Sequence, residues 1–410
     1  MPLQLSRRSL LAAALPALAQ RPPGANDRIR VGVIGVGNRG NLLIDQLPET
    51  AEIVAVADCF VRRAEEAAAK RKARWRIHRD YRRLLDEKDI DAVIVATPDH
   101  ARVLCCIQAC QAGKDVYAEK PLTLYVEEGR ALVRAARRYG RIFQAGSQQR
   151  SMAMNRLACE FVRSGGLGSI YFVLGVNYGG PARIPDLPAE SVPGELDWDI
   201  WQGQTKFRPY NSQLHLRWMR WWDYSGGEMT NWGAHGLDQI QMALGTDETG
   251  PVEFWPLSDG PPGALAFRYA SGVTVRLEMP AGELNGGAIF VGEKGRIEVV
   301  RNNFRTDPPR MIKELPPPAE VQKWRDDVAL WQAKYHMQEW LECMRARKAP
   351  SADVEVGHRS VSICHLANIT RDLGRRLRWD PAAERFTGDD EANALLNRPR
   401  RKGYELPQSA

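Results

Sequence analysis

From Arg28 onward, short apolar runs alternate with stretches whose apolar residues recur every three or four positions. The first run, Ile29–Ile34, ends in a glycine turn and leads into a helical pattern reaching about Leu47, and the next β-rich run is Glu52–Ala57. Helical periodicity follows near Val61–Arg71 and Tyr81–Leu85, then the run Ala92–Ala96, a helix over about Ala101–Ala112 and the run Asp115–Ala118. A helix at Val126–Tyr139 and a strand at Ile142–Ala145 complete the series. Strands in strict alternation with helices predict a parallel sheet covered on both faces.

After Gly146 the texture changes. Ser169–Asn177, Gly263–Tyr269, Gly272–Glu278, Ala288–Val291 and Arg296–Val300 read as strands joined largely by turn signals, which predicts an antiparallel sheet. Helices are expected at Met154–Ser164, Gly236–Leu244, Val328–Ala346 and Val356–Leu373. The stretch Gly179–Tyr210, rich in Pro, Gly and Trp, is expected to be an ordered excursion over the site, because tryptophans are rare in disordered segments. The expected class is α/β: a doubly wound Rossmann domain over residues 28–146, an α+β domain over 147–380 with a largely antiparallel open sheet, and a C-terminal arm over 381–410. The part of that arm from Glu384 to Arg401 is expected to pack on the body or on a neighbour.

With 44% apolar and 26% charged residues in 410, the chain is globular material long enough for two cores, which excludes the disordered and fibrous classes. The 57 Lys and Arg against 50 Asp and Glu give +7, with basic residues spread along helix-like stretches and a tail rather than gathered in a stripe. No nucleic-acid partner is expected. The N-terminus reads Ser6-Arg7-Arg8-Ser9-Leu10-Leu11, then a short apolar run, then Ala17-Leu18-Ala19 before Gln20. That is the order of an export signal, and its paired arginines indicate the twin-arginine route to the periplasm with cleavage after Ala19. No later stretch approaches ~20 uninterrupted apolar residues, so no membrane-spanning segment is expected in the mature chain. The seven cysteines have no framework spacing. Cys106 and Cys110 could share a helix face, but no His or carboxylate joins them at ligand spacing, so packing is expected and no metal site.

The strongest chemical motif is Gly35-Val36-Gly37-Asn38-Arg39-Gly40, directly after the first strand and opening a helix. Gly35 permits the tight turn, Gly37 admits a pyrophosphate close to the backbone, and Gly40 lets helix and strand pack, while the helix N-terminus supplies amide donors. Asp58 closes the second strand 18 residues beyond Gly40, where a carboxylate binds ribose hydroxyls and repels a 2′-phosphate. NAD is therefore the expected cofactor; Arg62 and Arg63 behind Asp58 could soften the preference and leave NADP open.

A second constellation follows the ends of two later strands: Ala96-Thr97-Pro98-Asp99-His100 and Tyr117-Ala118-Glu119-Lys120-Pro121. In open parallel sheets, ligands bind at the carboxyl ends of strands. Lys120, desolvated beside a cofactor with cationic character, would have a lowered pKa suited to proton exchange with a hydroxyl. Read alone, a Glu-Lys-Pro triplet is more often a surface turn.

These residues, together with Gly226-Gly227 leading through Asn231 to Gly233-Ala234-His235-Gly236-Leu237-Asp238, resemble the glucose–fructose oxidoreductase/inositol dehydrogenase/MocA (Gfo/Idh/MocA) family from Arg28 to about Asp380. The resemblance implies that Lys120 and His235 flank a reacting hydroxyl and mediate its proton transfer. It also implies a tightly held nicotinamide cofactor contacted by Gly35, Gly37, Asn38, Arg39, Gly40, Asp58, Thr97, Pro98, His100, Glu119, Lys120 and Gln148. The chain departs from the pattern at Asn231, where many members carry aspartate. An amide can position a hydroxyl or the imidazole but cannot raise the histidine's pKa by charge, which makes His235 the weaker partner.

Nearby sequence offers Arg150, Tyr178, Trp201, His215 and Arg217 as substrate contacts. Aromatic planes mixed with hydrogen-bonding groups suit a ring with apolar faces and hydroxyl edges, a sugar or cyclitol. The expected reaction is oxidation of a secondary hydroxyl on a sugar or related polyol. The alternative is a redox-neutral enzyme that oxidises a glycoside transiently and cleaves it; the N-acetylgalactosaminidase branch of such enzymes resembles Glu-Val at the lysine position, so Lys120 argues against that branch. In the resembled family the open sheet often forms the oligomer interface, and a homodimer or homotetramer is expected.

Overall fold

The computed structural model describes residues 28–282, 284, 286–325 and 332–407. The export-signal reading of residues 1–19 lies outside them, as does the start of the helix expected from Val328.

Six strands, β1 (Ile29–Ile34), β2 (Ala51–Ala57), β3 (Arg76–His78), β4 (Ala92–Val95), β5 (Asp115–Ala118) and β6 (Phe143–Ala145), form a sheet in the order β3-β2-β1-β4-β5-β6. Every pairing in it is parallel. β4 is buried at every position, as a strand covered on both faces must be. The order reverses between β1 and β4, so the crevice beyond their carboxyl ends is the topological switch point where ligands bind. β3 was not anticipated: it is three residues long, largely exposed, and has too little apolar pattern to register.

The second sheet has nine strands: β7 (Ile170–Val176), β8 (Glu253–Pro256), β9 (Leu265–Arg268), β10 (Thr274–Met279), β11 (Ala288–Gly292), β12 (Gly295–Val300), β13 (Asn303–Asp307), β14 (Leu377–Asp380) and β15 (Arg385–Phe386). Their order is β13-β12-β11-β7-β10-β9-β8-β14-β15; β7 and β10 pair in parallel and the remaining neighbours antiparallel. One face packs on the helices Ala153–Arg163, Gly233–Leu244 and Val354–Leu373 around Val173, Leu277, Phe290, Leu237 and Ile363. On the opposite face the pairs Phe172–Val291 and Leu174–Ile289 stand side by side, partly exposed.

Two expected boundaries need correction. The helix Lys334–Ala346 belongs to the first sheet, not the second: Met337, Trp340 and Leu341 pack with Val31, Val33 and Tyr117. The chain thus returns to the Rossmann layer inside the span assigned to the second domain. The C-terminal segment is no arm up to Leu396, because β15 joins the second sheet and Phe386, Ala392 and Leu396 are part of its core. Beyond it, Arg398, Arg400 and Arg401 bond to Asp223, Glu128 and Asp199 of the same chain.

Candidate active site

A cleft of about 1110 Å³ opens at the switch point and is lined from both halves of the molecule. Its floor is the glycine loop. Gly35 has φ +88°, and a Cβ there would lie 2.9 Å from the backbone of Ala96 and Thr97. At Gly40 a Cβ would lie 2.1 Å from the Gly35 carbonyl oxygen, so any side chain would force helix and strand apart. Gly37 is different: a Cβ there meets nothing within 4 Å, and the space before it is the cleft. The helix that follows, Asn38–Asp45, has no side-chain cap, which leaves its first amides directed at that space. Asp58 accepts hydrogen bonds from the Val36 amide at 2.8 Å and the Phe60 amide at 2.9 Å, fixing its carboxylate at the cleft edge. The Thr97 hydroxyl is buried at the cleft without a partner. A donor-lined glycine cradle, a placed carboxylate and an orphaned hydroxyl fit a dinucleotide.

Lys120 follows β5. Its Nζ donates to the Asn231 side-chain oxygen at 2.8 Å and the Asn231 carbonyl at 3.1 Å. Burial lowers its pKa to about 8, against the opposing pull of Glu119 and Asp99. Glu119 is buried, accepts from Arg39 at 2.8 Å and from Gln148 at 3.3 Å, and so ties the glycine-loop helix to the base of the lysine. Asp99 is likewise spoken for: the Ser225 hydroxyl donates to it at 2.9 Å. The Asn231 amide group donates onward to Glu228 at 3.1 Å. Asn231 is therefore the lysine's partner, and no hydrogen bond links it to the imidazole of His235.

His235 sits in the first turn of the helix Gly233–Leu244 and lines the same cleft. Burial, then the positive charges of Arg301, Lys120 and Arg39, push its pKa well below the ordinary value, so the ring is neutral at physiological pH. Arg301, which sequence reasoning missed, lines the cleft with its guanidinium 5.8 Å from the Trp232 ring centre. It follows β12 directly, and only the register of that strand brings it there.

The far wall of the cleft comes from the excursion after β7. Ile200, Trp201, His215, Leu216, Trp218 and Met219 line it, backed by an aromatic cluster of Phe60, Trp198, Tyr210, Trp221 and Tyr224. Trp201 and His215 are thus placed at the cleft, as are Gly35, Gly37, Asn38, Arg39, Asp58, Thr97, Pro98, Glu119, Lys120, Gln148, Asn231 and His235. Gly40 lies beneath it.

Other expected contacts point elsewhere. His100 is fully buried, with Nε2 2.7 Å from the Trp201 carbonyl, and anchors the excursion rather than facing the cleft. Arg150 is buried and locked in ion pairs with the buried Asp238 and the partly exposed Asp247, both at 2.8 Å. Tyr178 packs with Val176 and Leu284 outside the cleft lining. Arg217 is exposed and also outside that lining. Each neighbours cleft-lining residues or elements in sequence, and backbone direction turns each side chain away.

Comparison with known proteins agrees with this construction. The model for the Gfo/Idh/MocA oxidoreductase family's NAD-binding Rossmann fold matches residues 29–147, and the model for its C-terminal alpha/beta domain matches residues 181–406. Among curated relatives, inositol 2-dehydrogenase of Salmonella typhimurium is 26% identical over 181 residues, which is 42% of this chain and 54% of that protein. The scyllo-inositol 2-dehydrogenase (NAD(+)) of Bacillus subtilis is 34% identical over 128 residues, 30% of this chain and 36% of that one. The chain thus matches about half the length, or less, of these relatives. Among solved structures, the WlbA dehydrogenase from Bordetella pertussis, in complex with NADH and UDP-GlcNAcA, superposes with TM-score 0.60 at 22% identity over 86% of this chain and 99% of that one. Aldose-aldose oxidoreductase from Caulobacter crescentus gives 0.61 at 18% identity over 86% and 99%. The two domain matches establish that this chain belongs to the Gfo/Idh/MocA oxidoreductase family.

Proposed function

We propose that the protein is an NAD-dependent oxidoreductase that moves a hydride between nicotinamide and a secondary hydroxyl of a sugar or related polyol. One observation carries the reading: an amine with pKa near 8, held by Asn231, shares a cleft with an intact dinucleotide cradle. The inositol dehydrogenases among its relatives and the NADH-bound solved structures support the substrate class and the cofactor.

When bound, the nicotinamide supplies the two-electron acceptor at its ring carbon. In the oxidative direction neutral Lys120 accepts the hydroxyl proton as the carbinol C–H electron pair departs as hydride, so proton and electrons both leave the substrate. In reduction its ammonium returns the proton. Neutral His235 serves as a hydrogen-bonding group that orients the hydroxyl; its depressed pKa makes it a poor proton store. Asp58 would hold the ribose hydroxyls, and the start of the Asn38–Asp45 helix would hold the pyrophosphate.

Three further parts complete this reading. Ser6–Ala19 supports export through the twin-arginine route to the periplasm, where a preloaded nucleotide would stay with the enzyme. The partly exposed Phe172, Leu174, Ile289 and Val291 support assembly through the bare sheet face as a homodimer or homotetramer. Asp58 favours NAD over NADP.

The test is mass spectrometry of nucleotide released from denatured protein, then a panel of inositols and aldoses screened for nicotinamide reduction. NAD(H) with turnover of at least one polyol is expected. Failure to bind either nucleotide, or release of an aglycone with no net redox change, overturns the proposal.

A further inference from the structure

His215 is only 4% exposed and lines the cleft, yet neither Nδ1 nor Nε2 has a hydrogen-bond partner among the described residues. Buried polar groups are paired almost without exception, so an imidazole with both nitrogens unmet at the wall of a cleft is shaped for a ligand. The ring is wedged among Trp201, Tyr210, Trp198 and Phe60, whose ring centres lie 5.3, 5.9, 6.1 and 6.3 Å away. Its backbone is set as firmly: Asn211 caps the helix Ser212–Leu216 and donates to Glu190 at 2.9 Å, and the Trp221 indole donates to the Gln213 carbonyl at 3.0 Å.

Phe60 fixes which part of a ligand this imidazole meets. It lies two positions past Asp58 on the loop that leaves β2, and its amide donates to the Asp58 carboxylate. The excursion is fastened to the same loop, where the Asp197 amide donates to the Cys59 carbonyl at 2.8 Å and Leu196 bridges to Phe60. Burial, then the charge of Arg63 on the helix Val61–Lys70 that this loop enters, push the pKa of His215 down to about 4, so the ring is neutral. Lys120 follows β5, three strand spacings from β2, or about 14 Å. His215 thus stands at the ribose-carboxylate end of the cleft, apart from the reacting end.

From this placement we infer that His215 reads the nucleobase of the dinucleotide, hydrogen-bonding from the second domain to the polar edge of the purine whose ribose Asp58 takes. The inference rests on the dinucleotide reading above and moves His215 from the substrate contacts to the base-recognition contacts. A purine has two apolar faces and an edge of donors and acceptors. The cleft offers the same division: Ile200, Trp201 and Leu216 of the excursion and Pro98 and Ala101 after β4 supply apolar surface, and His215 supplies the polar atoms. A neutral imidazole carries one donor and one acceptor, the complement of a ring nitrogen and an exocyclic amino group.

The experiment titrates the full chain with ADP-ribose, which carries the adenosine and the pyrophosphate but no nicotinamide. His215→Phe keeps a ring in the aromatic cluster and removes both nitrogens, whereas His215→Asn keeps a donor and an acceptor. ADP-ribose affinity should fall about tenfold in His215→Phe and recover in part in His215→Asn, and in turnover the loss should appear in the KM for NAD and not in the KM for the polyol. In the wild type, read by NMR without any substitution, the His215 ring signals should shift when ADP-ribose binds. A polyol KM that rises while ADP-ribose affinity holds returns His215 to the substrate and overturns the inference. Ring signals that stay still, or affinities that move in neither variant, overturn it as well and leave the oxidoreductase reading intact. A wild-type protein that binds neither ADP-ribose nor NAD overturns that reading, and base recognition with it.

Discussion

The two banks of the cleft are built on different principles. The Rossmann bank is shaped by backbone: Gly35 and Gly40 are places where a Cβ would collide with main chain, and what this bank offers a ligand is amides and one carboxylate. The opposite bank is shaped by side chains from distant segments: Asn231 holds Lys120 across 111 positions of sequence, His235 and Arg301 come from a helix and a strand end, and a loop adds aromatics. A bank fixed by local geometry tolerates little change but can be read from spacing. A bank assembled from afar can be tuned residue by residue, and through Asn231 it holds the one lysine that the Rossmann bank sends into the cleft.

That contrast is broken or sharpened by substitution, and the largest effect belongs to Lys120. Lys120→Ala is expected to lower single-turnover hydride transfer by about 10²-fold or more while leaving nucleotide affinity nearly intact, the scale of a lost general acid–base group. Single-turnover rates are the right measure, since product release can hide the chemical step. A variant that reduces bound nucleotide at the wild-type rate removes the lysine from the mechanism.

Next in size is a change that touches scaffold instead of site. Arg150→Ala leaves Asp238 buried without its cation, and losing one partner of a buried pair costs about 3 kcal/mol or more. The expectation is a large fall in unfolding stability in urea with turnover per folded molecule unchanged. If KM for the polyol rose with no loss of stability, Arg150 would have to be returned to the substrate contacts.

Arg150 also shows where sequence reading stopped. The strand–helix rhythm, the glycine loop and the ends of β4 and β5 were legible because each is a local pattern. Side-chain direction was not: His100 lies one residue beyond Asp99 yet turns to Trp201, while Asp99 lines the cleft. Edge strands escaped for a related reason. β13 alternates Asn, Arg and Asp on its outer positions with little apolar signal, and β15 is two residues long. The excursion was legible as ordered, because tryptophans demand a core, but not its anchoring to Cys59 and His100. Asn231 was singled out for its departure from aspartate, yet its partner is the lysine, because that pairing depends on how two domains close on each other.

Within the backbone-built bank, Gly37 and Gly40 should respond oppositely to the same substitution. Gly40→Ala places a methyl against the Gly35 carbonyl and should cost stability first. Gly37→Ala meets no protein atom, so its thermal midpoint should stay put while NAD affinity falls about tenfold, as the methyl occupies space the pyrophosphate needs. Calorimetry with and without NAD separates the two; equal affinity in the Gly37 variant would move the nucleotide away from this loop.

The smallest expected effect tests the side-chain bank most finely. Wild-type Lys120 must be neutral to take a proton, so kcat/KM for alcohol oxidation should climb with pH and level off above about 8, while carbonyl reduction, which needs the ammonium, should decline over the same range. Asn231→Asp puts a carboxylate where the side-chain oxygen now lies 2.8 Å from Nζ. An opposite charge at that distance favours the ammonium, adding to Glu119 and Asp99 against burial, Arg39 and Arg102, and should raise the lysine's pKa by about one unit or more. Both limbs then move to higher pH, and oxidation at neutral pH slows about tenfold. Glu228 faces the new carboxylate in place of the amide donor it now accepts, so Asn231→Asp with Glu228→Gln should show the fuller shift. If His235 were the titrating group, its depressed pKa would place the wild-type limb below the ordinary histidine range, well away from 8. A limb near 8 that shifts upward with aspartate assigns the proton to Lys120, and one that stays fixed takes Asn231 out of its control.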